Sequence, residues 1–351
     1  GDAASAGERA LGGAATAATT GTGATSFLVT AFDRSSGRQL WAYEVQSEGQ
    51  LPPVHEKHNL ATPSPVTDGQ RVYALFGTGQ VVALDFDGKL AWKRNLSEYG
   101  SLGINWGHGS SPIVYKDNVI LLVYDGSPSS YLLALDSSSG MNRWKHNRDG
   151  GVTSYSTPFV MESGGEPELI VNSSEGISGH SLKTGEELWY IREMNRFPIP
   201  VATENDGLIL TSRGYRSGPF MAIRPGGKGD VSKSHVVWKV ETGAPYISSI
   251  VEHQDLIYMI GDVGVAAVFD AKTGSRVWQE RVGGVYSASP VVADGKIYFF
   301  GESGETIVLS AGRSPSVLAR NKLDARLLAS PAVSGGRFFI RSDDTLYAIG
   351  K

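Results

Sequence analysis

Residues 268–278 read VFDAKTGSRVW, and this phrase decides the fold because the chain repeats it. It returns as AFDRSSGRQLW at 31–41 and ALDSSSGMNRW at 134–144. ALDFDGKLAW at 83–92 and HSLKTGEELW at 180–189 are close variants, and AIRPGGKGDVSKSHVVW at 222–238 carries an insertion. The closing tryptophans are Trp41, Trp92, Trp144, Trp189, Trp238 and Trp278, spaced by 51, 52, 45, 49 and 40 residues. A further step of 40 lands on Leu318, where VLSAGRSPSVL keeps the shape but loses the Asp and the Trp. A second phrase, Ser/Thr-Pro followed by Val/Ile and a turn, precedes each copy. It stands at Ser64, Ser111, Thr157, Ser289 and Ser330, with degenerate copies from Pro200 and Ser249.

Each unit holds four short β-rich runs with turn residues between them. Around residue 285 the runs are YSASPVVA, KIYFFG and ETIVLS, split by Asp294-Gly295 and Ser303-Gly304, with a fourth run near Leu318. Asp-Gly between alternating apolar runs is a hairpin turn. Four strands per 40–50 residues is the period of a propeller blade. A four-stranded sheet cannot bury both faces alone, and stacking around an axis does it. Tandem β-sandwiches would need about 100 residues per repeat. The prediction is an all-β fold, a β-propeller of four-stranded antiparallel blades. The six tryptophans are read as docking residues, each on an outermost strand, packing over the glycine of the turn before it and into the next blade.

Composition excludes several chemistries. The chain of 351 residues has 36 acidic and 32 basic side chains, net −4, and no cysteine. There is no disulfide framework, thiolate metal site, c-type haem or cysteine nucleophile. The mild acidity argues against a nucleic-acid partner, and no apolar run is long enough for a membrane span. Phosphate-binding GxxxxGK(S/T) and strand-linked GxGxxG loops are absent, as is a GxSxG elbow. HEKH at 55–58 has a spacing of three in a segment opened by Pro52-Pro53, so it is read as a loop rather than a zinc helix. Asp85-Phe86-Asp87-Gly88 is a hairpin turn, not a calcium loop. RPGGKGD at 224–230 is read as an exposed loop in the fifth unit.

The tandem phrase resembles the PQQ-like (pyrroloquinoline-quinone-like) propeller repeat, found in quinoprotein dehydrogenases and in the bacterial outer-membrane assembly propeller lipoprotein. HEKHNLATPSPV through LYAIGK looks most like secreted bacterial proteins of this repeat family, and the resemblance covers about residues 25–351. It implies a periplasmic or extracellular location and usually eight blades. Blades ending at Trp92, Trp144, Trp189, Trp238, Trp278 and Leu318 are complete, and 326–351 supplies inner strands. Residues 25–45 supply a third and a fourth strand. Eight blades are preferred, with seven the alternative. The first blade is then incomplete, and a missing N-terminal fragment would complete it. Residues 1–24, rich in Ala, Gly and Thr, are set apart as an N-terminal segment or a loop inside that blade, and 25–351 as one propeller domain.

Residues just before each innermost strand line the axial funnel of a propeller. Here they are His58, Asn59, Asn105, Trp106, His108, Tyr155, Arg196, Tyr246, Tyr286 and Arg326, with Ser154, Asn195 and Phe197 beside them. Aromatic rings, histidines and arginines at one mouth suit a planar or anionic ligand. The functional expectation is a non-catalytic binding or scaffold propeller without a cofactor, whose partner is a protein, a carbohydrate or a small anion. One alternative, implied by the resemblance, is a quinoprotein oxidoreductase holding PQQ and calcium. Its relatives set a vicinal disulfide against the quinone, which this chain cannot form, and no acid stands out on the axis. The other alternative is a carbohydrate-active propeller such as a polysaccharide lyase. It would use His108, Tyr155 or Tyr286 as base and Arg196 or Arg326 on a uronate.

Overall fold

The computed structural model describes residues 14–19, 25–49, 51–100, 102, 106–128, 130–162 and 165–350. The described residues form β-strands alone, apart from one short 3-10 turn at Leu96–Tyr99. An N-terminal sheet holds β1 (Ala14–Thr19), β2 (Thr25–Phe32) and β3 (Gln39–Gln46). Blade A is β4 (Val66–Thr67), β5 (Arg71–Leu75), β6 (Gln80–Asp85) and β7 (Leu90–Asn95). Blade B is β8 (Ile113–Tyr115), β9 (Asn118–Val123), β10 (Tyr131–Asp136) and β11 (Asn142–Asn147). Blade C is β12 (Phe159–Met161), β13 (Glu168–Ser173), β14 (Gly176–Ser181) and β15 (Glu187–Arg192). Blade D is β16 (Thr203–Asn205), β17 (Leu208–Ser212), β18 (Phe220–Ile223) and β20 (Val236–Val240). The two-residue β19 (Gly229–Asp230), part of the insertion, instead joins the edge of blade C, parallel to β15. Blade E is β21 (Val251–His253), β22 (Leu256–Ile260), β23 (Val265–Asp270) and β24 (Arg276–Arg281). Blade F is β25 (Val291–Ala293), β26 (Lys296–Phe300), β27 (Glu305–Ser310) and β28 (Val317–Lys322). A C-terminal sheet holds β29 (Ala332–Ser334), β30 (Arg337–Arg341) and β31 (Leu346–Gly350).

The propeller of antiparallel four-stranded blades is as expected. The preferred count of eight such blades is corrected. Six sheets are full blades, and the two ends of the chain give three-stranded sheets that share no described ladder. The alternative of seven counts these two end pieces as one closing unit. They meet where the Arg337 guanidinium donates to the Arg34 carbonyl oxygen at 3.0 Å. Residues 14–19, expected within a loop, pair as a strand with β2 from Ala14↔Thr30 to Thr19↔Thr25.

The repeated phrase has a local cause. The Asp carboxylate closes the turn between the third and fourth strands. Asp136 accepts from the Ser138 and Ser139 amides at 3.1 and 2.8 Å, and Asp270 does the same for Lys272 and Thr273. The Ser138 and Ser139 hydroxyls donate to the same oxygen, and these bonds, ahead of the Ser139 amide, hold the Asp136 carboxyl far below the usual range. The glycine that follows has φ near +70° at Gly140 and Gly274, a conformation other residues adopt at a cost. Every blade then carries a bulge at the same place on its third and fourth strands, between Ala83 and Leu84, Ala134 and Leu135, or Val268 and Phe269.

The core lies between sheets. One apolar cluster joins Phe27 and Val29 of the N-terminal sheet to Val72 and Val82 of blade A. Another joins Leu210 and Phe220 of blade D to Ile257 and Phe269 of blade E. The tryptophans dock between blades, but on a different glycine from the one expected. Trp41 lies on Gly88, Trp92 on Gly140, Trp144 on Gly185 and Trp238 on Gly274, in each case the turn glycine of the following blade. A Cβ at these glycines would stand 2.5–2.7 Å from the ring. Each indole N–H donates to a carbonyl of that same turn: Phe86, Ser137, Leu182 and Ala271, at 2.9–3.0 Å.

Two tryptophans depart from this docking. Trp189 turns into its own sheet over Gly179 and donates to Glu168 Oε2 at 2.8 Å, because the insertion of blade D occupies the place of the next turn. Trp278 packs against the core between blades E and F and docks on no turn glycine, since Gly312, in the turn of blade F, has nothing within 4 Å of its would-be Cβ. Among the described residues no helix is long and apolar enough to cross a membrane.

Candidate functional site

The Ser/Thr-Pro phrase builds a collar around the axis. The Ser64 amide donates to Ser111 Oγ at 2.9 Å, and the Ser111 amide to Thr157 Oγ1 at 3.0 Å. Further round, Val201 donates to Ser249 Oγ, Ser249 to Ser289 Oγ and Ser289 to Ser330 Oγ, at 2.9–3.0 Å. Each hydroxyl thus satisfies a backbone amide of the preceding blade, at a point where the inner strands are too short to do so.

Above this collar an axial cavity of about 460 Å³ opens on the face carrying the blade-to-blade loops. It is lined by His55, Lys57, His58, Thr62, Trp106, Gly109, Tyr155, Ile199, Tyr246, Ile247, Ser287 and Leu328. One side is aromatic. Trp106 meets Phe197 edge-on at 4.5 Å, Phe197 meets Tyr215 at 5.3 Å, and Tyr215 meets Tyr246 at 5.4 Å. Tyr155 joins this arc through Phe197 at 6.4 Å. The opposite side is charged. Lys57 Nζ lies 2.8 Å from Glu302 Oε1, which also accepts from Ser287 Oγ at 2.6 Å. Burial raises the Glu302 carboxyl, but these two bonds outweigh it and hold the group below its usual range.

The sequence-predicted residues divide. His58, Trp106, Tyr155 and Tyr246 line the cavity. His58 Nε2 lies 3.0 Å from the His108 carbonyl oxygen, and burial lowers its imidazole. His108 sits behind it, 3% exposed, with neither ring nitrogen in hydrogen-bond geometry. Burial, and then the neighbouring His58, push His108 down to about 4, while the nearby Ser110 backbone and Asp125 charge give only a weak opposite pull. Both rings are therefore neutral at pH 7. Tyr286 is 1% exposed in the core between blades E and F, not in the funnel, and burial pushes its hydroxyl up to about 12. Asn59 is exposed, and its Oδ1 caps its own turn at the Ala61 amide, 2.8 Å. Arg196 is exposed and outside the cavity lining. Arg326 is exposed beside Asp343 at 3.8 Å. Asn105 lies outside the described residues. Of the five residues weighed for lyase chemistry, only Tyr155 reaches the cavity.

The sequence reading missed the acids. Glu302 stands in Gly301-Glu302-Ser303-Gly304 and Asp262 in Gly261-Asp262-Val263-Gly264, the same loop in neighbouring blades. Asp262 accepts from the Tyr246 and Ile247 amides at 3.3 and 3.4 Å, and burial raises its carboxyl. The recurrence of Gly-acid-x-Gly after a second strand was the available signal. It was overlooked because each copy also reads as an ordinary turn.

A family model described as outer membrane protein assembly factor BamB matches residues 25–196, 230–314 and 261–351. The chain belongs to this family of PQQ-like propellers. The stretch the BamB model leaves unmatched, 197–229, covers most of blade D and the start of its insertion. Among solved structures, BamB from Moraxella catarrhalis superposes with a TM-score of 0.67 at 16% identity, over 95% of each chain. A europium-containing methanol dehydrogenase gives 0.67 at 13% identity, over 95% of this chain and 80% of its own. The computationally designed Ika8 protein gives 0.54 at 12% identity, over 86% and 99%. At these identities the likeness establishes the fold. No curated protein sequence matches the chain significantly.

A quinone with its metal can be tested on the donors present in this BamB-family propeller. Calcium takes several oxygen ligands at once. Glu302 is committed to Lys57 and Ser287, and Asn59 to its own turn. Asn195 turns its amide to the Tyr215 carbonyl at 3.5 Å. Among the described residues no three His, Cys, Asp or Glu side chains converge in a metal-binding group. The described donor set does not fit a calcium-bound quinone.

Proposed function

We propose that this propeller is a non-catalytic binding or scaffold protein working outside the cytoplasm, and that its axial mouth receives an apolar segment of a protein partner. The observation that carries this reading is the run of ring contacts from Trp106 through Phe197 and Tyr215 to Tyr246, in which Trp106 and Tyr246 line the cavity and Phe197 and Tyr215 connect them. Trp106 is 42% exposed, and Met194, Val263 and Val285 on loops of the same face are more so, at 76%, 60% and 51%. Aromatic anchors beside a concave apolar surface are the usual centre of a protein interface. The Lys57–Glu302 pair at the far rim supplies polar orientation. The extracytoplasmic location rests on the family's description as an outer membrane assembly factor.

The test is titration with a synthetic peptide alternating aromatic and hydroxyl side chains, followed by isothermal calorimetry. Trp106→Ala and Phe197→Ala are each expected to weaken binding about tenfold or more. Polygalacturonate, and PQQ with calcium, are expected to give no saturable heat. Peptide binding indifferent to both substitutions refutes the assignment of the mouth.

A further inference from the structure

A second cavity lies away from the axis, in the cleft between blades D and E, with a volume of about 720 Å³. Its floor is apolar: Val240, Ala244, Pro245, Val265, Ala267 and Phe269. The cleft exists because side chains are small where other blades fill the space. At the position just before the shared bulge partner, blade E has Ala267. Blades A, B, D and F have Val82, Leu133, Met221 and Ile307 there. Blade C has Ser178, hydrogen-bonded to the buried His180 ring that takes up the room. Two residues earlier on the same face, blade E has Val265 where blades A and B bury Gln80 and Tyr131. The facing loop adds Gly243 and Ala244.

The two ends of the cleft differ in charge. Arg276 lies opposite Phe269 at one end and Gln279 opposite Ala267, and the Arg276 guanidinium donates to the neutral Gln279 oxygen at 2.7 Å. At the other end stand Arg216, lying 5.2 Å from the Tyr215 ring, and the acid Asp262. From Val265 to Phe269 the slot runs four residue steps of about 3.4 Å, about 14 Å in all, the length of a chain of about ten methylenes. A slot of this volume, with an apolar floor and a few polar groups at its rim, is the form of a small-molecule site.

We propose that the cleft between blades D and E binds a medium-chain aliphatic carboxylate, with the carboxylate on Arg276 and the chain laid along Val265, Ala267 and Phe269. Arginine offers a carboxylate two parallel N–H bonds. At the far end Asp262 stands with Arg216, so a second carboxylate would lose hydration there for no net attraction. This site stands apart from the axial mouth, although Tyr246 borders both.

The test is calorimetry of the full chain with decanoate, butyrate and decanedioate. Decanoate is expected to saturate at one per chain, with butyrate and decanedioate about tenfold weaker or worse. Ala267→Leu, which restores the residue of blade B, is expected to abolish binding. Arg276→Gln is expected to weaken it about tenfold. Trp106→Ala leaves it unchanged. If Ala267→Leu does not fold, Ala267→Val, the residue of blade A, takes its place beside Arg276→Gln. Failure of decanoate to saturate overturns the proposal, as does binding that survives both cleft substitutions. Loss of binding in Trp106→Ala also overturns it, by moving the chain to the axial mouth. Loss of peptide binding with decanoate binding intact would count against the mouth alone.

Discussion

Replacing Gly140 by alanine tests how the blades are held together. Gly140 has φ +70°, and a Cβ there would stand 2.7 Å from the Trp92 ring, which is 8% exposed. Two costs combine. Holding a non-glycine residue in the left-handed region costs about 1–2 kcal/mol. Forcing the ring off its stage is an overpacking cost of about 1–3 kcal/mol, and it pulls the indole N–H from the Ser137 carbonyl at 2.9 Å. The expected total is about 2–5 kcal/mol. Gly69→Ala is the control, because Gly69 has φ +84° but nothing within 4 Å of its would-be Cβ. It should cost only the backbone share, about 1–2 kcal/mol. In a Trp92→Ala background the ring is gone, so Gly140→Ala should fall to that same cost. The coupling between positions 92 and 140 is then about 1–3 kcal/mol. Equilibrium urea unfolding, followed by far-ultraviolet circular dichroism and by fluorescence with coincident transitions, measures all four variants. If Gly140→Ala costs no more than Gly69→Ala, or costs as much without Trp92 as with it, docking of each tryptophan on the next blade's glycine is wrong.

Three further outcomes are expected. Trp189→Ala, which empties a fully buried site and strips Glu168 of an indole donor, should lose about 3–5 kcal/mol in the same titration, and a loss under about 1 refutes its place in the core. Ser111→Ala leaves the Ser64 amide without its acceptor and should cost about 1 kcal/mol, whereas Ser111→Thr should keep most of it; equal losses would remove the collar as a source of stability. His108 is neutral in the folded chain down to about 4, while the unfolded chain takes up this proton near 6.5. The unfolded state thus binds more protons between those values, so stability falls as pH drops from 6.5 towards 4, by about 1.4 kcal/mol per unit for one such group. His180 is pushed down to about 4 for the same reason. His108→Gln should therefore halve this part of the pH dependence, and an unchanged slope in urea titrations at pH 5 and 7 refutes the burial of a neutral His108.

The blade was legible because every copy solves the same local problem. A two-strand turn needs an acceptor for its amides and a residue with positive φ, so Asp and Gly recur at fixed offsets, as at Asp136 and Gly140. Periodicity could not tell which glycine each tryptophan uses. Its own turn and the next one carry the same letters, and only the packing of one blade on another separates Gly88 from Gly37 under Trp41. The preference for eight blades over seven failed for a related reason, since the ends of the chain are where the period has no neighbour to confirm it.

The candidate site was legible only in part. Tyr246 and Tyr286 share one register, each three residues before its collar serine, Ser249 or Ser289, yet Tyr246 borders the cavity and Tyr286 lies in the core between blades E and F, so position in the repeat could not separate them. Glu302 was hidden because its loop is explained equally well as a turn. The same logic bears on where function lies in a repeat fold. A residue shared by all blades answers to folding, which every blade needs. A residue that breaks the pattern answers to something only one blade does. Trp106 stands outside the repeat at the axial mouth, and Ala267 stands where four blades carry larger side chains. Ala267 gives up packing that those blades keep, and Trp106 leaves a large apolar ring 42% exposed. A marginally stable fold retains such losses without selection only where they are small, and replacing a buried leucine-sized side chain by alanine typically costs about 2–5 kcal/mol. The cleft beside Ala267 is for that reason a stronger sign of a ligand than any feature the blades have in common.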